Sequence, residues 1–216
     1  YYSEQYMENF SKMTNWIVDN KDGLGIQYVV HTGDIVDEFN EEYQFINASD
    51  QLKKFEDANL PYGVLGGNHD VGHGNAVYDL YQKYFGAWRY ENNPWYGESY
   101  KDNRGHYDLI TVGGIDFIMI YMGWGIGDEE IQWMNDVLAQ YPERKAILNF
   151  HEYLLASGGL GEEPQRIHDE VVAKNENVCM VLSGHYHNAK TTVDTFVNED
   201  GTQRKVYNLL FDYQGL

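Results

Sequence analysis

A layered α/β sandwich of mixed sheets is the fold class this sequence predicts. Helical and strand-like patterns alternate through its first part, and strand pairs joined by turns follow in its later part. A further observation is that residues capable of demanding chemistry recur just where expected strands end.

The elements follow in chain order. Met7, Phe10, Met13 and Ile17 recur at helical spacing, Gly23 and Gly25 break the pattern, and the β-branched run 26–30 reads as a buried strand. Residues 41–58 repeat the helical pattern through Tyr43, Ile46, Leu52 and Phe55, and Leu60-Pro61 leads into a strand at 62–65. A short helix is expected over 75–85, then a loop carrying Trp88, Asn93-Pro94 and Trp95. Strands at 105–110 and 115–122 meet at Gly113-Gly114 and read as a hairpin. Asp128 is placed to cap a helix bearing Ile131, Met134, Val137 and Leu138, and a strand follows at 146–150. The helical stretch 164–174, a strand at 178–182 and a strand pair at 189–197 and 205–211 complete the chain. Trp16 and Trp133 fall on helical apolar patterns and are expected in the core.

With 216 residues, 43% of them hydrophobic, one sizeable domain over 1–216 is expected. The start at Tyr1-Tyr2-Ser3 and the end at Leu216, just after a strand-like run, suggest a domain truncated at both ends. The formal charge of −19 lacks the clustered cations that nucleic acids require, so no nucleic-acid partner is expected. A small phosphorylated substrate remains open if metal ions supply local positive charge. No apolar run approaches the ~20 residues of a membrane span. Cys179 stands alone, which rules out an internal disulfide and a multi-thiolate zinc site, and its apolar surroundings predict a buried inert thiol. Oligomeric state is not legible.

Asp34 follows the strand-like 28–31, Asn68 and His69 follow 64–65, His151 follows 147–150, and His185 and His187 follow 181–182. Strand carboxyl ends gather on one rim, where open α/β sheets bind ligands. Carboxylate, amide and imidazole donors suit borderline divalent ions such as manganese, iron or zinc rather than calcium. A carboxylate such as Asp34 can bridge two ions ~3.5–4 Å apart.

The segments His31-Thr32-Gly33-Asp34-Ile35-Val36-Asp37, Gly66-Gly67-Asn68-His69-Asp70, Asn149-Phe150-His151-Glu152 and Gly184-His185-Tyr186-His187 occur in that order. Together they resemble the signature of the calcineurin-like metallophosphoesterases. The resemblance implies a four-layer αββα sandwich of mixed sheets flanked by helices. It also implies two divalent metal ions and hydrolysis of a phosphomonoester or phosphodiester by a metal-bound hydroxide. By the same resemblance Asp34 is the bridging ligand, Asn68, His151 and His185 serve the second ion, and His187 serves the first. His69 is the catalytic histidine, Asp70 holds its imidazole protonated and oriented, and Asp37 lies one shell further out.

One family motif, D-x-H ahead of Asp34, has no counterpart here, since 1–30 contain no histidine. The Y-Y-S-E start resembles a branch in which D-T-Q stands just upstream. The expectation is therefore that the chain begins one residue after that motif, holds one ion well and the second weakly, and is less active than a complete domain. The same branch suggests an extracellular or cell-surface bacterial protein, with the cytoplasm as the alternative.

Single residues carry plainer readings beside these. His106 and His168 read as structural and His31 as a neighbour of the ligands, while His73, between Gly72 and Gly74, is a candidate substrate contact. Trp88, Trp95 and Trp124 read as packing residues ahead of an aromatic platform, and Glu152 and Tyr153 as bystanders. The rival functions are a nuclease of the same fold, disfavoured by charge, and a degenerate non-catalytic binding or scaffold module, disfavoured by the intact G-N-H-D and G-H-Y-H.

Overall fold

The computed structural model describes residues 7–74, 76–198 and 200–213. Helix α1 (Met7–Leu24) leads to strand β1 (Val29–Val30), helix α2 (Glu42–Asp57) and strand β2 (Tyr62–Gly63). After helices α3 (Asn68–Val71) and α4 (Asp79–Phe85) come β3 (Tyr96–Tyr100), β4 (Gly105–Val112) and β5 (Ile115–Met122). Helix α5 (Asp128–Gln140), β6 (Lys145–Phe150), α6 (Glu162–Ile167) with a π turn at His168–Val172, β7 (Val178–Ser183), β8 (Asn188–Val197) and β9 (Gln203–Asp212) follow.

Strands β1 and β2 form a small parallel sheet, and the other seven form a mixed sheet in the order β3-β4-β5-β6-β7-β9-β8. Within it β5, β6, β7 and β9 run parallel, while β3, β4 and β8 add antiparallel edges. The two-residue periodicity of a strand sorts side chains between layers. From β5, Ile118, Ile120 and Met122 pack outward on Ile131, Met134 and Val137 of α5 and on Ile167 of α6. The alternate Met119 and Tyr121 turn inward with Leu65 against Tyr28 and Val30, joining the two sheets. Beyond the small sheet, Phe45, Leu52 and Phe55 of α2 and Tyr81 and Phe85 of α4 make a second core with Phe10 and Tyr62. Helix, sheet, sheet and helix layers result, and each large side chain withdrawn from water contributes roughly 1.5–3 kcal/mol.

The hairpin expected at Gly113-Gly114 is present, and both glycines take the positive φ that its tight turn requires. The expected β8–β9 pair is present as well. Several expectations are corrected. The strands expected at 26–30 and 62–65 shorten to residue pairs, because only Val29–Tyr62 and Val30–Gly63 lie in register. The helix expected over 75–85 begins at Asp79, its expected first residue lying outside the described residues. The stretch 164–174 divides into α6 and the π turn. Strand β3 lies where a loop is expected, its Gly97 leaving room for the Tyr107 ring, which a Cβ would overlap.

Gly127 rather than Asp128 caps α5, its N–H donating to Glu130 Oε2 at 3.0 Å. On α1 the buried stripe runs through Phe10 and Thr14 toward Ile17 and Val18, so Met13 and Trp16 face solvent, 58% and 56% exposed. Thr14 tolerates burial because its hydroxyl donates to the Phe10 carbonyl at 3.1 Å. Trp88 is likewise exposed rather than packed. Cys179 is half-buried, with its thiol 3.4 Å from the Ala146 carbonyl.

Candidate metal centre

The loops after β1, β2, β6 and β7 converge on one rim because these parallel strands share a direction and their carboxyl ends coincide. After β1 the chain turns through Gly33 (φ 94°) and Asp34 (φ 53°). A left-handed aspartate is uncommon, and here it lets Asp34 Oδ1 accept the His69 N–H at 3.1 Å. His185 is also left-handed (φ 68°), so two residues of the centre hold strained backbone. Gly67 admits this convergence: a Cβ there would collide with Asp34 Oδ1 and fall 2.8 Å from His151 Cε1.

Asp34, His151 and His185 each offer a donor atom within 4.8 Å of the others. His151 Nδ1 lies 2.8 Å from the Thr32 carbonyl, which can only accept, so Nδ1 carries the proton. Its Nε2 faces Asn68 Oδ1 at 2.9 Å, His185 Nδ1 at 3.1 Å and Asp34 Oδ1 at 3.3 Å. Lone pairs of oxygen and nitrogen thus crowd one point, where a single imidazolium proton serves one of them well. A divalent cation fits this donor set, and a ring held by an Nδ1–H bond to a backbone carbonyl is how a ligating histidine is usually oriented. Burial works to lower the His151 pKa, but the hydrogen bond and charge of Asp34 outweigh it and hold it above the ordinary value. Burial works to raise Asp34, and the bond and charge of His151 reverse that in turn. Burial, followed by the charge of His151, holds His185 low.

His187 is exposed on the same turn and stands outside the trio. Asn68 is brought in through its amide oxygen, and His69 through its backbone N–H. Asp70 is fully buried, but its two oxygens accept the Gly67 N–H at 2.7 Å and the Val36 N–H at 2.8 Å. Burial, then the charge of Asp34, pushes its carboxyl up to about 7. The expectation that Asp70 orients His69 is therefore corrected: His69 Nδ1 lies 2.7 Å from the Asp37 carbonyl and 3.7 Å from its carboxylate. Neighbours in a helical turn project in different directions, so Asp70 reaches back under the loop after β1 while His69 points across it. His31 accepts the Gly33 N–H at Nδ1 (3.2 Å), and burial pushes it down to about 4.

Sequence reasoning misses Gln44, whose Oε1 accepts the Asp37 and Glu38 N–H groups at 2.8 and 3.1 Å and so steadies the carbonyl that holds His69. The available signal is a glutamine beside the apolar stripe of α2, since buried polar groups are nearly always bonded. Trp124 packs against the second core as expected, and its ring also lies 5.4 Å from that of His185 and 5.8 Å from that of His151. A cavity of ≈ 680 Å³ opens beside the trio, lined by Phe10, Met13, His31, His185 and Phe211 among others.

The chain is similar to several known proteins. An uncharacterized protein of Bacillus subtilis, YvnB, is 51% identical over the whole chain, which spans 17% of that protein. A probable glycerophosphodiester phosphodiesterase, GpdQ, of Arcobacter nitrofigilis is 25% identical across 76% of the chain and 58% of its own length. The chain thus spans less than two thirds of either relative. The crystal structure of TT1561 of Thermus thermophilus covers 93% of the chain and 83% of its own at 11% identity and a TM-score of 0.52, a likeness of fold. The family of calcineurin-like phosphoesterases matches residues 5–189. That match takes in every loop of the rim from Asp34 to His187, and the chain accordingly belongs to the calcineurin-like phosphoesterase family.

Proposed function

We propose that this chain hydrolyses a phosphate ester with the help of divalent cations held by Asp34, Asn68, His151 and His185, with His187 contributing to a second position. The observation that carries this reading is the convergence of Asn68 Oδ1, His185 Nδ1 and Asp34 Oδ1 on His151 Nε2. When bound, such ions supply Lewis acidity toward a phosphoryl oxygen and make water acidic enough to react near neutral pH. The chain's own residues do the rest. Asp37 fixes the His69 ring through Nδ1, so a protonated Nε2 can be offered to the leaving oxygen. Trp124 packs its ring beside those of His151 and His185 and so helps to fix their orientation. The name of the 25% identical relative favours a diester over a monoester. The −19 charge favours a small substrate, which needs no basic track.

Hydrolysis of p-nitrophenyl phosphate and of its bis ester, measured with added manganese, tests the reading. The bis ester should be cleaved faster, chelation should stop both reactions, and His69→Ala should slow the bis ester by about 10²–10⁴-fold with unfolding unchanged. Full activity in His69→Ala, or activity indifferent to chelation, overturns it.

A further inference from the structure

We infer that His73 is a positioning residue, holding the side-chain amide of Asn68 so that its oxygen, and not its nitrogen, faces the metal centre. The inference rests on the proposed metal-binding role of Asn68.

An asparagine amide is nearly symmetric in shape, and its oxygen and nitrogen differ only in accepting or donating. A cation accepts lone pairs from the oxygen alone, so a ligating asparagine needs something to fix its orientation. In this chain Asn68 is almost wholly buried, its Oδ1 lies on the side of His151, and its Nδ2 lies 3.1 Å from His73 Nε2 and 3.4 Å from His73 Nδ1. A ring nitrogen that accepts from Nδ2–H makes the flipped amide costly, because the flip would set the amide oxygen against that lone pair and the NH₂ group against the metal. A buried amide turned the wrong way loses the hydrogen bond that compensates its removal from water.

His73 belongs to a short loop between Gly72 and Gly74, and Gly72 takes a φ of 80° that turns the chain back over α3. Two contacts hold the loop there. The Trp124 Nε1–H donates to the His73 carbonyl at 3.4 Å, and the His73 ring meets the His69 ring edge-on at 5.6 Å. Trp124 is itself fixed by its N–H on the Gly66 carbonyl at 2.9 Å and by the Tyr78 hydroxyl on its own carbonyl at 2.9 Å. One indole therefore links the loop that carries His73 to the rings of His151 and His185. His73 touches a proposed ligand and not the cation, which is how an outer partner tunes a metal site.

The test is Mn²⁺ affinity, measured by calorimetry on the purified protein, with hydrolysis of bis(p-nitrophenyl) phosphate alongside. His73→Ala should weaken Mn²⁺ binding by about 10–100-fold, the usual effect of removing such a partner. His73→Gln, whose amide oxygen can accept the same N–H, should recover most of it. In an Asn68→Asp background both side-chain ends are oxygens, so adding His73→Ala should change Mn²⁺ affinity less than about threefold, since coupled residues are non-additive. Equal losses from His73→Ala with and without the Asn68→Asp substitution mean that His73 merely supports the loop and overturn the proposal. So does a His73→Ala variant whose KM for the ester rises while Mn²⁺ affinity stays unchanged, which would make His73 a substrate contact. A parent protein that binds no Mn²⁺ overturns the metal reading and this proposal together, whereas a parent that binds it beside an unaffected His73→Ala overturns this proposal alone.

Discussion

The Nδ1–H of His69 donates to a main-chain carbonyl, so substitution of the Asp37 side chain leaves that bond in place. Asp37→Asn should retain hydrolysis within about tenfold, in contrast to His69→Ala. Asp70 behaves differently, because both of its oxygens accept buried N–H groups and an asparagine supplies one acceptor where two are used. Asp70→Asn should cost about 1–3 kcal/mol in denaturant unfolding. A loss of activity with stability intact would instead return Asp70 to the role of orienting His69. The adjacency of His69 and Asp70 is plain in the sequence, but the Asp37 carbonyl that His69 meets and the Val36 N–H that Asp70 accepts are not, because both lie on a loop more than thirty residues upstream.

At the scale of elements, the rim is made by turns that only particular residues permit. Gly67 stands where the ends of β1, β2 and β6 approach one another, and the atoms nearest its absent Cβ are the Asp34 carboxylate, the Asp34 backbone and the His151 ring. Gly67→Ala must displace two proposed ligands. Mn²⁺ affinity measured by calorimetry should fall at least about tenfold, and an unaltered affinity would show that the loops give way without moving the donors. The strand β5 is legible and lies in the core, whereas of the α2 pattern only Leu52 and Phe55 do, since Tyr43 and Ile46 are exposed and Phe45 and Ala48 fill the buried face instead. The face of α1 is also only partly legible, since Phe10 and Ile17 lie on the buried stripe while Met7 and Met13, at the same helical spacing, face solvent. Periodicity gives the existence of an apolar face, and the neighbouring helix α2 sets its angle.

For the molecule as a whole, the space between the sheets holds titratable groups outside the metal centre. Asp108 is buried, accepts the Tyr28 hydroxyl at one oxygen, and is pushed up to about 7 by burial. His106, stacked 4.5 Å from Tyr121, is pushed down to about 3 by burial. A carboxyl with a raised folded-state pKa stabilises the fold fully below its unfolded value of about 3.9, and that contribution is lost as pH rises toward about 7. A histidine with a depressed one has the opposite sign, its stabilisation growing as pH rises from about 3 to the unfolded value of about 6.5. Between about pH 4 and 6.5 the two slopes oppose each other. Asp108→Asn keeps a neutral group of the same shape, so its stability should climb relative to the parent by roughly 2–4 kcal/mol between pH 4 and 7.5. Denaturant unfolding at several pH values checks this, and a constant difference would mean that Asp108 is ionised in the folded protein.

The sequence by itself determined most of the order of strands and helices, though not β3, and the residue types at the rim, because these follow from local periodicity and from which side chains carry lone pairs. The family match from 5 to 189 spans the same loops. Tertiary structure alone decided that Asp37 holds His69, that Gln44 holds Asp37, that Trp124 packs beside the histidines and that His187 stands apart from the trio. Those contacts join residues far apart in the chain, such as Asp37 with His69 and Trp124 with His185, and no local pattern encodes them. They arise when the strands are aligned in parallel and their loops are forced into the same small volume, where packing and the need to satisfy every buried donor choose the partner.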